Sequence, residues 1–219
     1  MSGGEKLTPA SAALDHLILG AADLDRGIAW VESLTGVKAV AGGRHPGAGT
    51  RNELISLGGR RYLEILAPDP RQTVYSSPMD VRSFAEPRLI TWAAATSDID
   101  GVAKSTRAAG REVLGPAEGS RARPDGSALK WRTLRLVGEP GSGVVETMPF
   151  FIEWAAGSTH PSQDSPAGCE LEWLEFEHPD PGRVTGVLTK LGIEAKVKRA
   201  GKAGLIATLK TPKGRVELG

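Results

Sequence analysis

Apolar and polar positions follow one layout three times along the chain. LDHLILGAADLDRGIAWVESLTG (14–36), LITWAAATSDIDGVAKSTRAAG (89–110) and LEWLEFEHPDPGRVTGVLTKLG (171–192) each pass from a short apolar or alternating run, through an aspartate, into a helical pattern that ends on glycine. Alternation marks the first part as a strand, and apolar recurrence at three and four residues marks the second as a helix. Asp23, Asp98 and Asp180 suit the N-cap, where a carboxylate accepts a free backbone N–H. Pro181 fits the first helical position, and Gly36, Gly110 and Gly192 fit the left-handed residue past the helix end. Strand-like segments follow each helix: 38–41, 52–57 and 61–66; 112–114, 129–137 and 149–154; 194–198, 205–210 and 215–218. The pattern therefore predicts a βαβββ unit used three times, an α+β fold.

This divides the chain into a flexible N-terminus (1–13), a first unit (14–67), a crossing linker (68–87), a second unit (88–155), a linker (156–170) and a third unit (171–219). The Pro, Ser and Gly content of the linkers fits segments that hug the surface. A second register mark closes each unit: RRYLEIL, PFFIEWA and GRVEL place Glu64, Glu153 and Glu217 at matching positions, each with apolar neighbours. Such glutamates face either solvent or the interior of a curved sheet; their recurrence beside a histidine-bearing strand favours the interior.

Composition narrows the partners. With 27 basic and 26 acidic residues in 219, nothing steers the protein to nucleic acid or an anionic membrane. No apolar run approaches a membrane span, and the small, polar N-terminus lacks the features of a secretory signal. Cys169 is the single cysteine, so an internal disulfide and a multi-cysteine metal site are excluded, and it reads as structural. A cytoplasmic setting is the plain expectation.

Paired βαβββ units with a histidine on the first strand and a glutamate on the last resemble the vicinal oxygen chelate superfamily, and within it the glyoxalase-like domain family. LDHLILGAADLD, GGRHPGAGTRN, RYLEILAPDP, SRARPDG, FFIEWA and the HPS of His160 to Ser162 carry the resemblance. It implies that two units form an eight-stranded cup-shaped mixed sheet; the third unit, with Trp173 at the histidine position and no histidine partner for Glu217, reads as a degenerate structural module that packs on the cup or completes a homodimer. It also implies metal ligands on the first and last strands of each unit, which here are His16, Glu64, Thr91 and Glu153. His16, Glu64 and Glu153 would make an N/O site for Zn, Ni, Mn or Fe. Threonine is a poor fourth ligand, so a three-ligand site and a cup without metal both stay open. So does a His16 that only hydrogen-bonds a carboxylate or carbonyl inside the cup.

The glycine-rich stretch 42–52 and the stretch 120–126 read as loops at the mouth. Arg44, His45, Asn52 and Arg123, with Thr91, are the expected contacts to a carbonyl-bearing or anionic small molecule. Trp131 and Trp154 read as core. Two functions follow from the resemblance. One is a metal-dependent lyase or isomerase in which Glu64 or Glu153 moves a proton. The other is a binding protein that sequesters an antibiotic-type molecule without metal.

Overall fold

The structure, a computed structural model, describes residues 7–77, 79–122, 128–137 and 145–219. A short β1 (Thr8–Pro9) and α1 (Ala10–Ala13) lead into the first unit: β2 (Leu14–Gly20), α2 (Leu24–Thr35), β3 (Val40–His45), β4 (Thr50–Ser56) and β5 (Tyr62–Pro68). The second comprises β6 (Arg88–Ala95), α3 (Ile99–Ala108), β7 (Val113–Ala122), β8 (Ala128–Leu136) and β9 (Phe150–Trp154). After α4 (Pro161–Asp164) come β10 (Glu170–His178), α5 (Pro181–Lys190), β11 (Ile193–Glu194), β12 (Lys196–Arg199), β13 (Gly204–Thr211) and β14 (Gly214–Leu218).

The helix ends follow their sequence signals. Asp23, Asp98 and Asp180 accept from the backbone N–H of Arg26, Gly101 and Arg183, which satisfies donors the helix itself leaves free. Gly36, which ends α2, has φ 76, a left-handed conformation that glycine adopts without strain.

The first two units join in one mixed eight-stranded sheet of order β3-β4-β5-β2-β6-β9-β8-β7. β2 and β6 meet antiparallel at the centre, and each pairs parallel with the last strand of its own unit. The halves thus mirror one another in strand order. The sheet curls until its edge strands β3 and β7 come into contact, producing the cup that the repeat predicts. Strand alternation gives it two faces. His16, Ile18, Tyr62, Glu64 and Leu66 face the hollow, while Leu17, Leu19, Leu63, Ile65 and Trp92 fill the convex side at 0% exposure.

The third unit packs on that convex side. Trp92 of β6 meets Phe176 of β10 with ring centroids 5.5 Å apart, and the Leu89 N–H donates to the Gly219 carbonyl. One core cluster runs through all three units. The third sheet has the order β12-β10-β13-β14. Its first strand pairs parallel with its second and antiparallel with its third, whereas in the other units the first strand pairs with the fourth. A βαβββ succession of elements has here been assembled into a different sheet.

Two segments depart from the sequence reading. The stretch 42–52 is largely strand, because β3 and β4 extend to His45 and Thr50 and leave only a tight hairpin. Gly42 and Gly43 serve packing, since a Cβ on either would collide with the Arg121 side chain that reaches over from β7, whereas Gly47 and Gly49 supply the positive φ of the hairpin. The crossing linker also does more than hug the surface. Met79, Val81 and Phe84 are buried with Leu66 and Ile90 and close one end of the cup, over Gly20.

Candidate functional site

The cup holds a half-open cavity of ≈ 260 Å³. Its walls are mostly apolar and aromatic, with His16, His45, Asn52 and Glu64 on the first half and Thr91, Arg121, Thr133 and Arg135 on the second. His16 lies at the centre, 3% exposed, stacked on the Tyr62 ring at 4.5 Å and edge-on to Phe150 at 5.5 Å.

Asp15 fixes that ring. In the pairing of β2 with β6 the register shifts between Leu14 and His16. Asp15 is the extra residue of this bulge, and bulges re-aim side chains. Its Oδ1 lies 2.7 Å from Nδ1 of His16. Its Oδ2 accepts from the indole N–H of Trp154 at 2.9 Å and lies 3.1 Å from Nε2 of His160. The Ser162 N–H donates to Nδ1 of His160, so the proton of a neutral His160 resides on Nε2 and points at Asp15. Burial would raise the Asp15 pKa, but hydrogen bonds from His16 and His160 and the attraction of both rings outweigh it. The carboxyl therefore stays well below its usual range and ionised. An ionised carboxylate only accepts, so the Nδ1 of His16 carries a proton and its Nε2 faces the cup.

Opposite Nε2, at 3.7 Å, stands Oε2 of Glu64. The other oxygen of Glu64 accepts from Nδ2 of Asn52 at 2.7 Å. His45 is adjacent, with Nε2 3.8 Å from Oε1 of Glu64 and Nδ1 2.8 Å from Oγ1 of Thr50. Asn52 and Thr91 also line the cup, and the buried Oδ1 of Asn52 and Oγ1 of Thr91 have no hydrogen-bond partner among the described residues. Burial raises the Tyr62 phenol well above its ordinary value, which keeps it a hydroxyl.

Among the residues expected from the sequence, the structure brings His16, Glu64, His45, Asn52 and Thr91 to one cavity. It does not bring Glu153 there. His16 and Thr91 each stand seven residues before their capping aspartate, so they are counterparts. Glu64 lies opposite Ile18 on the neighbouring strand, and the matching pair in the second half is Ala93 with Phe150. Phe150 is thus the counterpart of Glu64. Glu153 lies three residues further along, an odd step that turns it to the convex face. There it accepts from the N–H of Ile99, at the start of α3, and pairs with Arg132 at 3.4 Å. Arg44 is likewise engaged elsewhere, with Nη1 2.7 Å from the buried Asp69 carboxylate. Arg123 lies outside the described residues. Trp131 and Trp154, read as core from the sequence, line the cup instead. Asp15 and His160 went unmarked as site residues, although HPS hinted at the latter.

The donor set does not fit the four-ligand metal centre that the resemblance implies. Where the first half offers His16 and Glu64, the second offers a threonine and a phenylalanine. Among the described residues, no group of three or more His, Cys, Asp or Glu side chains could hold a metal ion.

Removing the Glu153 carboxylate should therefore leave the cup untouched. We expect Glu153→Ala to lose less than about 1 kcal/mol, as partly exposed ion pairs do, and to bind cup ligands like the wild type. A loss of ligand binding with the fold intact would put Glu153 back in the site.

A cup made of two mirrored βαβββ halves is the fold of the vicinal oxygen chelate superfamily. The chain belongs to the glyoxalase-like domain family, whose model matches residues 14–192. No curated protein matches the chain. Among solved structures, a hypothetical protein from Staphylococcus aureus shares 16% identity, with 92% of each chain covered and a TM-score of 0.69. Methylmalonyl-CoA epimerase from Mycobacterium tuberculosis shares 19%, covering 70% of this chain and 91% of that one, with a TM-score of 0.41. A Streptomyces coelicolor methylmalonyl-CoA epimerase variant in complex with 2-nitronate-propionyl-CoA shares 23%, covering 68% and 99%, with a TM-score of 0.47.

Proposed function

We propose that the cup binds a small, largely apolar organic molecule and that His16 moves a proton on it, as in an isomerase or lyase. The supporting observation is the His16 ring, held through Nδ1 by the ionised Asp15 and presenting Nε2 to a half-open, largely apolar cavity opposite Glu64. An imidazole so oriented is a general base, and the carboxylates on either side stabilise the imidazolium formed when it takes a proton. Tyr62 and Thr91 line the same cavity, and a hydroxyl there can donate to a carbonyl oxygen whose charge grows as the neighbouring carbon is deprotonated.

The test has two parts. Trp131 and Trp154 line the cavity, so a ligand should change tryptophan fluorescence saturably. In heavy water, the protein should exchange hydrogens beside the carbonyl in a panel of small hydroxyketones. His16→Gln should slow that exchange at least about a hundredfold, the lower end for a positioned base. A second reading, sequestration without chemistry, is favoured by the replacement of two expected ligands by Thr91 and Phe150; saturable binding with no exchange would select it. No saturable binding of any panel member would sink both.

A further inference from the structure

Glu64 has an imidazole on each side. Its Oε2 lies 3.7 Å from Nε2 of His16, and its Oε1 lies 3.8 Å from Nε2 of His45. The neighbours of His45 define which of its nitrogens carries the proton. Nδ2 of Asn52, which only donates, lies 3.4 Å from Nε2 of His45, so Nε2 accepts and the Nδ1–H donates to Oγ1 of Thr50 at 2.8 Å. His45 therefore turns a proton acceptor toward Glu64. The same Asn52 nitrogen donates to Oε1 of Glu64 at 2.7 Å and keeps the two groups side by side. The Arg121 guanidinium, which crosses Gly42 and Gly43, meets that amide at its oxygen end.

The three side chains differ in their access to water. Those of His16 and Glu64 are 4% and 9% exposed, whereas that of His45, at the end of β3, is 28% exposed. A ligand in the cup covers what is left of His16. Nδ1 of His16 gives no way out, because it is held by Asp15, which is itself buried among three ring donors. A proton taken up at Nε2 therefore reaches water past Glu64.

Resting on the reading of His16 as the base, we propose that Glu64 and His45 form a proton relay between His16 and solvent. The proton that His16 takes from carbon passes from Nε2 to Oε2 of Glu64. Rotation of the carboxyl about its last torsion, which is a soft one, presents it to Nε2 of His45. The imidazolium so formed releases a proton to water, and all three groups return to their starting forms. Closing each gap to about 2.9 Å takes a shift of less than about 1 Å. His45 touches no reacting atom and acts through Glu64.

Hydrogen exchange of α-hydroxyacetophenone in heavy water, at saturating concentration in dilute phosphate, reads the relay, because deuterium reaches carbon only after the proton has left His16. His45→Ala should slow exchange above the protein-free rate at least about tenfold. Imidazole added to the medium can enter the space left by the missing ring and should restore most of the rate. Pyrazole, of the same size and far less basic, should not. His45→Gln fills the place with a side chain that carries no proton; it should be slow too, and it decides the matter if His45→Ala does not fold. An unchanged rate in either folded variant overturns the relay. So does a slow His45→Ala that imidazole fails to rescue, or that pyrazole rescues equally well. Each of these outcomes leaves His16 as the base. Absence of exchange by the wild type with every hydroxyketone of the panel overturns the base and the relay together.

Discussion

Replacing Asp15 with alanine should lower stability by about 3–5 kcal/mol, the range for breaking one partner of a buried charged network. The carboxylate is 2% exposed and faces three ring donors, on His16, His160 and Trp154. Its removal leaves all three in a buried place without an acceptor, and each orphaned donor costs about 1–3 kcal/mol before any relaxation. Urea unfolding near neutral pH measures the loss; a change below about 1 kcal/mol would show that water satisfies the rings and that the network is not what holds His16. The acid limb gives an independent check. Because the folded-state pKa of Asp15 is depressed, its contribution is fully present above the unfolded carboxylate value near about 4 and fades as the pH falls from there toward the folded value. The wild type should therefore lose its advantage over Asp15→Asn progressively on acidification below about pH 4.

Trp92→Ala should cost about as much, 3–5 kcal/mol, for a different reason. Trp92 is fully buried on the convex face of the central strand, packs on Phe176 of the third unit and donates its indole N–H to the Thr147 carbonyl at 2.9 Å. Truncation opens a cavity at the joint between the cup and the third sheet and leaves that carbonyl without its donor. Denaturant unfolding followed by circular dichroism reads the loss. Phe176→Leu keeps most of the volume and should cost less, about 1–1.5 kcal/mol. A Trp92→Ala protein as stable as the wild type would mean that the joint carries little of the fold's stability.

The sequence shows the architecture better than the site, for reasons visible in single residues. Helix caps are local, so Asp23, Asp98 and Asp180 can be read directly. Alternation is local too, and it turns Trp92 to the side opposite Thr91 as expected. The position of Glu153 depends instead on counting from the correct counterpart, and Phe150 carries no chemical signal that it replaces Glu64. Asp15 escapes because alternation sends it away from its neighbour His16; only the bulge against β6 brings the two together. His160 reaches the same carboxylate from 145 residues further along the chain. Trp131 and Trp154 look like core by composition, yet they form part of a wall around a cavity, and sequence does not distinguish a filled interior from a hollow one.

The two halves of the cup mirror one another in strand order but not in lining. His16 and Glu64 have Thr91 and Phe150 as their counterparts, and Arg121 and Arg135 line the second half, so rotating a molecule by half a turn inside the cup exchanges the wall with the Glu64 carboxylate for one with two guanidinium groups. A guest with unlike ends is accepted in one orientation and rejected in the other. A flat, trigonal carbon held that way shows only one side to the imidazole. In the proposed reaction the proton at His16 therefore crosses a single face, and a centre formed there is of one hand.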